Sequence, residues 1–140
     1  MKVLFICKGN WFRSQMAAAI YNDLTQTQDA DLAGTYTGAL DESEGQILSD
    51  LFSTPDFFEI MEKHGLYVRA NTTKRLMPAM LRDFDKVVSM AEEPYVPAFL
   101  KNDKKVIWWE VENPETVDTG VAEETYEKLN KLIKELIEMS

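Results

Sequence analysis

The stretch FICKGNWFRSQMA, Phe5 to Ala17, joins the end of an apolar run to a turn and then to a helical pattern. Residues Lys2–Ile6 are a short apolar run with β-branched members, which is typical of a buried strand. Gly9 and Asn10 then indicate a turn. After Arg13, apolar residues recur at the three- and four-residue spacing of one helix face: Met16, Ala17, Ile20, Tyr21 and Leu24. The stretch therefore predicts a strand, a loop and a helix.

The rest of the chain continues this alternation. Further strands are predicted at Leu32–Gly38, Lys86–Met90 and Lys105–Trp109. Helices are predicted at Glu44–Phe52, Pro55–His64, Lys74–Leu81, Pro94–Leu100 and Val121–Met139. Alternating strands and helices favour a three-layer α/β fold, in which helices cover both faces of a parallel sheet. Ligands bind such sheets at the carboxyl ends of the strands, where Cys7 follows the first strand.

Composition limits the function classes. A chain of 140 residues has the usual size of one domain, so we expect residues 1–140 to form a single domain without a linker. The net charge of −9 disfavours nucleic acid and anionic membranes as partners. No run approaches the ~18 apolar residues that a spanning helix needs. One cysteine cannot form an internal disulfide, and a cytoplasmic location is the default expectation.

Cys7, Arg13 and Ser14 form the motif that carries chemistry. If residues 8–13 wrap with their backbone N–H groups pointing inward, this loop and the following helix N-terminus form an anion cradle. A thiol beneath the cradle loses its proton readily, and the planar fork of Arg13 matches two phosphate oxygens. The Ser14 hydroxyl can then assist departure of the thiolate. The pattern predicts phosphoryl transfer to Cys7 followed by hydrolysis.

The loop between Cys7 and Arg13 supplies the predicted substrate contacts. Gly9 permits a close backbone approach, and Asn10 suits the left-handed conformation that such a loop uses. Trp11 either stacks on an aryl phosphate or packs against neighbouring helices. Lys8 either offsets the acidic surface locally or is solvated. With Phe12, these residues are the predicted substrate-binding loop.

The stretch VLFICKGNWFRSQMA resembles the amino-terminal signature of the low-molecular-weight protein tyrosine phosphatases and of the related thioredoxin-coupled arsenate reductases. The stretches GLYVRANTTKRL, DFDKVVSM and WWEVENP are similar to later segments of that family. The resemblance implies a four-stranded parallel sheet, and it makes Cys7 the nucleophile, Arg13 the phosphate clamp and Ser14 the assisting hydroxyl. It also makes Asn10 the residue that shapes the loop. It implies no metal and no organic cofactor.

The chain departs from the family pattern in the acid loop. The family's Asp-Pro, whose aspartate protonates the leaving phenolate, is matched here by Asn113-Pro114. Asn113 can bind substrate, but an amide has no proton to give, and positioned acids typically contribute ~10²–10⁴-fold. Three hypotheses stay open: Glu112 or Asp118 supplies the proton, the enzyme is slow or needs good leaving groups, or the site binds phosphate without turnover. The plainer interpretations are a solvated Glu112 and a helix-capping Asp118.

Three other positions also differ from the family pattern or lie outside the motif. Phe12 stands where many family members have a second cysteine, so neither a protective disulfide nor an internal cysteine relay can form. Tyr36, between two threonines, replaces the serine that supports Asn10. His64, the only histidine, precedes Gly65 and is interpreted as a helix-end residue.

The leading hypothesis is a phosphomonoesterase that acts on a phosphorylated protein or a small aryl phosphate through phosphocysteine and releases phosphate. One alternative is a catalytically impaired relative that binds phosphate or phosphotyrosine. The other is a single-cysteine arsenate reductase that uses an external thiol.

Overall fold

The computed structural model describes residues 1–36 and 44–140. Four parallel strands form one sheet in the order β2-β1-β3-β4: β1 (Val3–Cys7), β2 (Ala30–Gly34), β3 (Lys86–Ser89) and β4 (Val106–Trp108). The described helices are α1 (Arg13–Thr25), α2 (Asp56–Lys63), α3 (Ala98–Lys101) and α4 (Thr119–Glu138). The predicted α/β fold with a four-stranded parallel sheet is confirmed.

Strand β1 lies inside the sheet and is buried on both faces. Its alternate residues Val3, Phe5 and Cys7 belong to the core that also contains residues of α1, α2 and α4. Leu4 and Ile6 point to a second core on the opposite face, which also contains residues of α3 and of the segment before β3. The apolar run of β1 is therefore continuous rather than alternating, as expected for a strand with both faces covered.

The parallel arrangement brings three loops to one edge of the sheet. Strands β1, β3 and β4 all end at this edge, and they are followed by residues 8–12, 90–97 and 109–118. Since the chain must return across the sheet to start each parallel strand, these loops come from distant parts of the sequence. Cys7 lies at their meeting point.

Two predicted helices are absent. Within 44–52, only Leu48–Asp50 forms a short 3-10 turn, because Gly45 has a left-handed φ of 78° and the backbone pairs with Thr73. Within 74–81, the chain stays extended up to Met77 and then forms the 3-10 turn Pro78–Arg82. Proline disfavours a helical conformation in the preceding residue, which explains why the helix does not start earlier.

Smaller differences concern the ends of elements. Strand β2 spans Ala30–Gly34, and the last two positions of the predicted strand, 37 and 38, lie outside the described residues. Leu24, predicted on the buried face of α1, lies in the last turn of that helix and is 40% exposed. Helix α2 ends at Lys63, one residue before the predicted end, with His64 as its C-cap residue and Gly65 in the left-handed conformation. No helix in 1–36 or 44–140 is long and apolar enough to cross a membrane.

Candidate active site

The Sγ atom of Cys7 is held by two polar groups of the loop that follows β1. The Asn10 backbone N–H donates to Sγ at 3.3 Å, and the Ser14 Oγ lies 3.0 Å from Sγ. Ser14 Oγ also accepts a hydrogen bond from Asn10 Nδ2 at 2.7 Å, which leaves its own hydrogen available for the sulfur. Both groups can therefore donate hydrogen bonds to Sγ.

Asn10 has the left-handed conformation that the sequence predicts, with φ 64°. Its side chain is fully buried, and its Oδ1 accepts a hydrogen bond of 2.6 Å from the backbone N–H of Lys74. Gln15 also joins the loop to the segment around Thr72, because its Nε2 donates to the carbonyls of Asn10 and Thr72 at 3.0 and 3.1 Å. The extended segment 72–74 thus supports the loop. Sequence reasoning missed Gln15, whose signal is a polar residue on the apolar side of a helix.

Tyr36 does not take over the support of Asn10. Its ring packs edge-on against Tyr95, with 5.0 Å between ring centroids. The Lys8 Nζ lies 4.3 Å from the centroid of the Tyr95 ring and 5.6 Å from that of Tyr36, within cation–π range. Lys8 therefore lies beside this aromatic pair at the rim, rather than in the cavity next to Cys7.

Arg13 is 2% exposed, and its guanidinium is held from one side. Nη1 donates to the carbonyls of Met90 and Val111 at 2.6 and 3.0 Å, and to the Glu92 carboxylate at 2.8 Å. Nη2 lies 3.4 Å from the other Glu92 oxygen. Among the described residues, Nε donates no hydrogen bond. The edge formed by Nε and Nη2 therefore remains available for two oxygens of an anion.

A small cavity brings most of the predicted site residues together. Its walls are formed by Cys7, Gly9, Trp11, Phe12, Arg13, Asn113, Pro114 and Val117. Asn10 and Ser14 lie beneath it, in contact with Sγ. In the described part of the molecule, the walls of this cavity carry the Arg13 cation and no carboxylate. The cavity is therefore suited to an anion.

The two aromatic residues of the loop have different surroundings. The half-buried ring of Trp11 packs against Phe52 at 5.0 Å and also lines the cavity, so both interpretations offered by the sequence apply in part. Phe12 is buried and packs edge-on against Phe57 at 5.2 Å. The ring of Phe12 therefore belongs mainly to the core.

The proton donors suggested by the sequence are not among the residues that line this cavity. Asp118 caps α4, because its Oδ1 accepts the Val121 N–H at 2.8 Å. Glu112 is exposed and lines a neighbouring groove that it shares with Glu92. Asn113 lines both the cavity and the groove, and its Nδ2 donates to Glu92 at 3.2 Å. Glu92 is the carboxylate that sequence reasoning missed, although its position just after β3 places it at the same sheet edge.

Helix capping by Asp118 leads to a testable prediction. We expect Asp118→Ala to destabilise the fold by about 1 kcal/mol, the typical cost of losing a side-chain cap. Asp118→Asn keeps a capping oxygen but removes the acid, so it should preserve stability and leave any hydrolysis of aryl phosphates unchanged. Urea unfolding and hydrolysis assays on the two variants check this. A large rate loss in Asp118→Asn would identify Asp118 as a proton donor instead.

The only histidine lies away from the cavity. The ring of His64 stacks on Tyr126 with centroids 3.7 Å apart, and its Nε2 lies 3.1 Å from Glu123. It thus joins the end of α2 to α4, in agreement with the helix-end interpretation. Across residues 1–36 and 44–140, no group of three His, Cys, Asp or Glu side chains could hold a metal ion.

Comparison with known proteins identifies the relatives of this chain. The family model described as low molecular weight phosphotyrosine protein phosphatase matches residues 2–139. A low molecular weight protein tyrosine phosphatase from T. tengcongensis is 26% identical, with a TM-score of 0.74 over 100% of this chain and 99% of that one. Comparison with curated protein sequences gives no significant match.

Two other solved structures represent different activities. The arginine phosphatase YwlE, as a Cys-to-Ser mutant with a phosphorylated active site serine, is 18% identical, with a TM-score of 0.78 over 99% of this chain and 95% of that one. The thioredoxin-dependent arsenate reductase Cg_ArsC1' of Corynebacterium glutamicum is 25% identical, with a TM-score of 0.69 over 99% of this chain and 60% of that one.

Proposed function

The chain belongs to the low molecular weight phosphotyrosine protein phosphatase family, and on that premise we propose that it hydrolyses phosphate monoesters through a phosphocysteine intermediate on Cys7. The observation that carries the proposal is the arrangement of Cys7 and Arg13 in one cavity. Sγ contacts the Asn10 N–H and lies beside the Ser14 hydroxyl, while the Nε–Nη2 edge of Arg13 is free for an anion.

The first step is attack of the Cys7 thiolate on phosphorus. The Arg13 edge holds two equatorial oxygens, which keep their positions as the S–P bond forms and the P–O ester bond breaks. Carbonyl acceptors of Met90 and Val111 fix Nη1 in advance, so the guanidinium need not be ordered when substrate binds. The second step is attack of water on the phosphocysteine. The Ser14 hydroxyl then stabilises the thiolate that leaves.

The relatives support chemistry on an oxyanion at this position. The YwlE structure carries a phosphorylated serine in place of the active site cysteine, and the tyrosine phosphatase Wzb from Escherichia coli K30 is described in complex with sulphate. The phosphorylated serine of YwlE supports a phosphorylated substrate. Arsenate reduction would require an external thiol, because Cys7 is the only cysteine in the chain.

The substrate class follows from the missing acid. Because Asn113 has no proton to give, the chain should favour aryl esters, whose phenolate leaves without full protonation. The half-buried Trp11 ring at the cavity wall offers an apolar surface for such an aryl group. We infer a phosphotyrosine-like or small aryl phosphate as the substrate.

The position of Asn113 can be tested by restoring an acid there. In Asn113→Asp, the new carboxyl would lie within hydrogen-bond distance of Glu92, and two carboxylates so close keep one proton between them. We expect kcat for a poor leaving group such as phenyl phosphate to rise about 10²-fold, near the lower limit for a positioned acid. With para-nitrophenyl phosphate the gain should be much smaller. Rates on a series of aryl phosphates measure this.

Asn113→Ala is the matched control, since it removes the amide without adding an acid and should give no gain. An unchanged dependence on the leaving group in Asn113→Asp would show that residue 113 does not face the leaving oxygen. If the wild type turns over none of the substrates and Asn113→Asp does, the chain is the impaired phosphate-binding relative.

We also infer one phosphatase-like domain over residues 1–140, which the extent of the family match supports. The cytoplasm is the compartment we propose, because a lone reactive thiol is kept reduced there.

A further inference from the structure

Glu92 already accepts hydrogen bonds from the Arg13 guanidinium that the proposed phosphatase would use to bind its substrate. Its two carboxylate oxygens lie 2.8 Å from Nη1 and 3.4 Å from Nη2 of Arg13, and Asn113 Nδ2 donates to it at 3.2 Å. Arg13 is 2% exposed, whereas the Glu92 side chain is 39% exposed. A carboxylate of this chain is thus paired with the buried Arg13 cation through Nη1 and Nη2.

The planar guanidinium fixes where a second anion can bind. Of its five N–H bonds, those of Nη1 are used by Met90, Val111 and Glu92, so a phosphoryl group is left with Nε and the second N–H of Nη2. Two acceptors on the two hydrogens of one amino group lie about 5 Å apart. Each negative charge on the phosphoryl group is therefore attracted by Arg13 and repelled by Glu92 at similar range.

The other charged groups around Glu92 do not remove this repulsion. The groove next to the cavity contains the carboxylates of Glu110 and Glu112 and the ammonium of Lys128 from α4. Together with Glu92, this makes three carboxylates against Arg13 and Lys128. Asn113 contributes a dipole but no charge. The second negative charge of a phosphate dianion therefore gains little attraction here.

We propose that the site selects the monoanion of a phosphate monoester, the form that carries one proton on a phosphoryl oxygen. This inference rests on the proposed phosphatase function and specifies the substrate form. A like charge within several ångströms favours the protonated state of an acid, so Glu92 raises the fraction of bound phosphoryl group that keeps its proton.

The selected proton also balances the step in place of the one that Asn113 does not supply, but it reaches the leaving oxygen only as the P–O bond breaks, so aryl leaving groups stay favoured. The thiolate electron pair of Cys7 forms the S–P bond, and the P–O ester bond breaks with its electron pair on the leaving oxygen. That oxygen takes the proton from the phosphoryl oxygen. The alcohol or phenol leaves neutral, and the phosphocysteine carries two negative charges, equal to those of thiolate and monoanion together.

Phosphate binding tests the selection without turnover. Calorimetric titration of Cys7→Ser with inorganic phosphate, from about pH 5.5 to pH 8, spans the loss of the second phosphoryl proton. We expect the association constant for total phosphate to fall about tenfold per pH unit once the monoanion becomes the minor form. In Cys7→Ser/Glu92→Gln the fall should disappear, with at least about tenfold tighter binding at pH 8.

Glu110→Gln in the same Cys7→Ser background is the matched control, because it removes a carboxylate from the groove that does not contact Arg13. It should keep the fall in affinity with pH. Equal pH profiles with and without Glu92 would overturn the inference, even if phosphate binds well. Absence of phosphate binding at every pH in all three folded proteins would overturn the proposed function itself.

Discussion

Cys7→Ser is expected to lower kcat for aryl phosphate hydrolysis by at least ~10⁴-fold, because removing the nucleophile of an enzyme typically lowers kcat by that much or more. A serine hydroxyl stays protonated near neutral pH, and the Asn10 N–H and Ser14 hydroxyl that contact Sγ cannot make it an oxyanion. Steady-state assays with para-nitrophenyl phosphate measure the loss. Binding of inorganic phosphate should persist, because the Arg13 edge and the loop are unchanged.

The substitution is small and should leave the fold intact, since Cys7 is buried next to polar partners that also suit a hydroxyl. Thermal unfolding checks this directly. Ser14→Ala is an informative companion, because it retains Sγ and removes one contact, so a partial loss is expected. If folded Cys7→Ser kept more than about a tenth of the wild-type rate, Cys7 would not be the nucleophile.

Arg13→Lys is expected to lower kcat/KM by about 10³-fold, as removal of a transition-state donor does in other oxyanion sites. A lysine keeps the charge but has neither the planar fork nor the reach to satisfy Met90 O, Val111 O and Glu92 together with a phosphoryl group. We expect kcat to fall and KM to rise. Steady-state kinetics separate the two.

Arg69→Lys provides the matched control on the surface. Arg69 also forms a two-point contact with a carboxylate, at 2.6 and 3.1 Å to Glu62, but it is half exposed and is not among the residues that line the cavity. Its replacement should leave kcat/KM unchanged. Equal, small effects of both substitutions would contradict a phosphate-clamping role for Arg13.

Local patterns account for what the sequence predicts well. The β1–loop–α1 unit is read from an apolar run, a turn and a helical period that are adjacent in the chain. The left-handed Asn10 follows from its residue type, and the neighbouring Ser14 is brought to Sγ by the start of α1. The helix end at Gly65 is equally local.

Distant contacts explain what the sequence does not predict. The segment 44–52 pairs with 71–73 instead of forming a helix, so tertiary pairing overrides its pattern. The support of Asn10 by the Lys74 N–H and the contact of Glu92 with Arg13 join residues 64 and 79 positions apart. Only the parallel topology brings such residues together, and the spacing of apolar residues along the chain does not indicate these contacts.

The most direct test of the proposed mechanism is to detect the phosphocysteine intermediate on Cys7. The wild type is quenched during turnover of an aryl phosphate, and the denatured protein is analysed by phosphorus NMR and by mass spectrometry of the peptide containing Cys7. We expect one phosphoryl group bound to the Cys7 sulfur, and none in Cys7→Ala. Steady turnover with an unmodified Cys7, or with the phosphoryl group on another residue, would contradict the proposed mechanism.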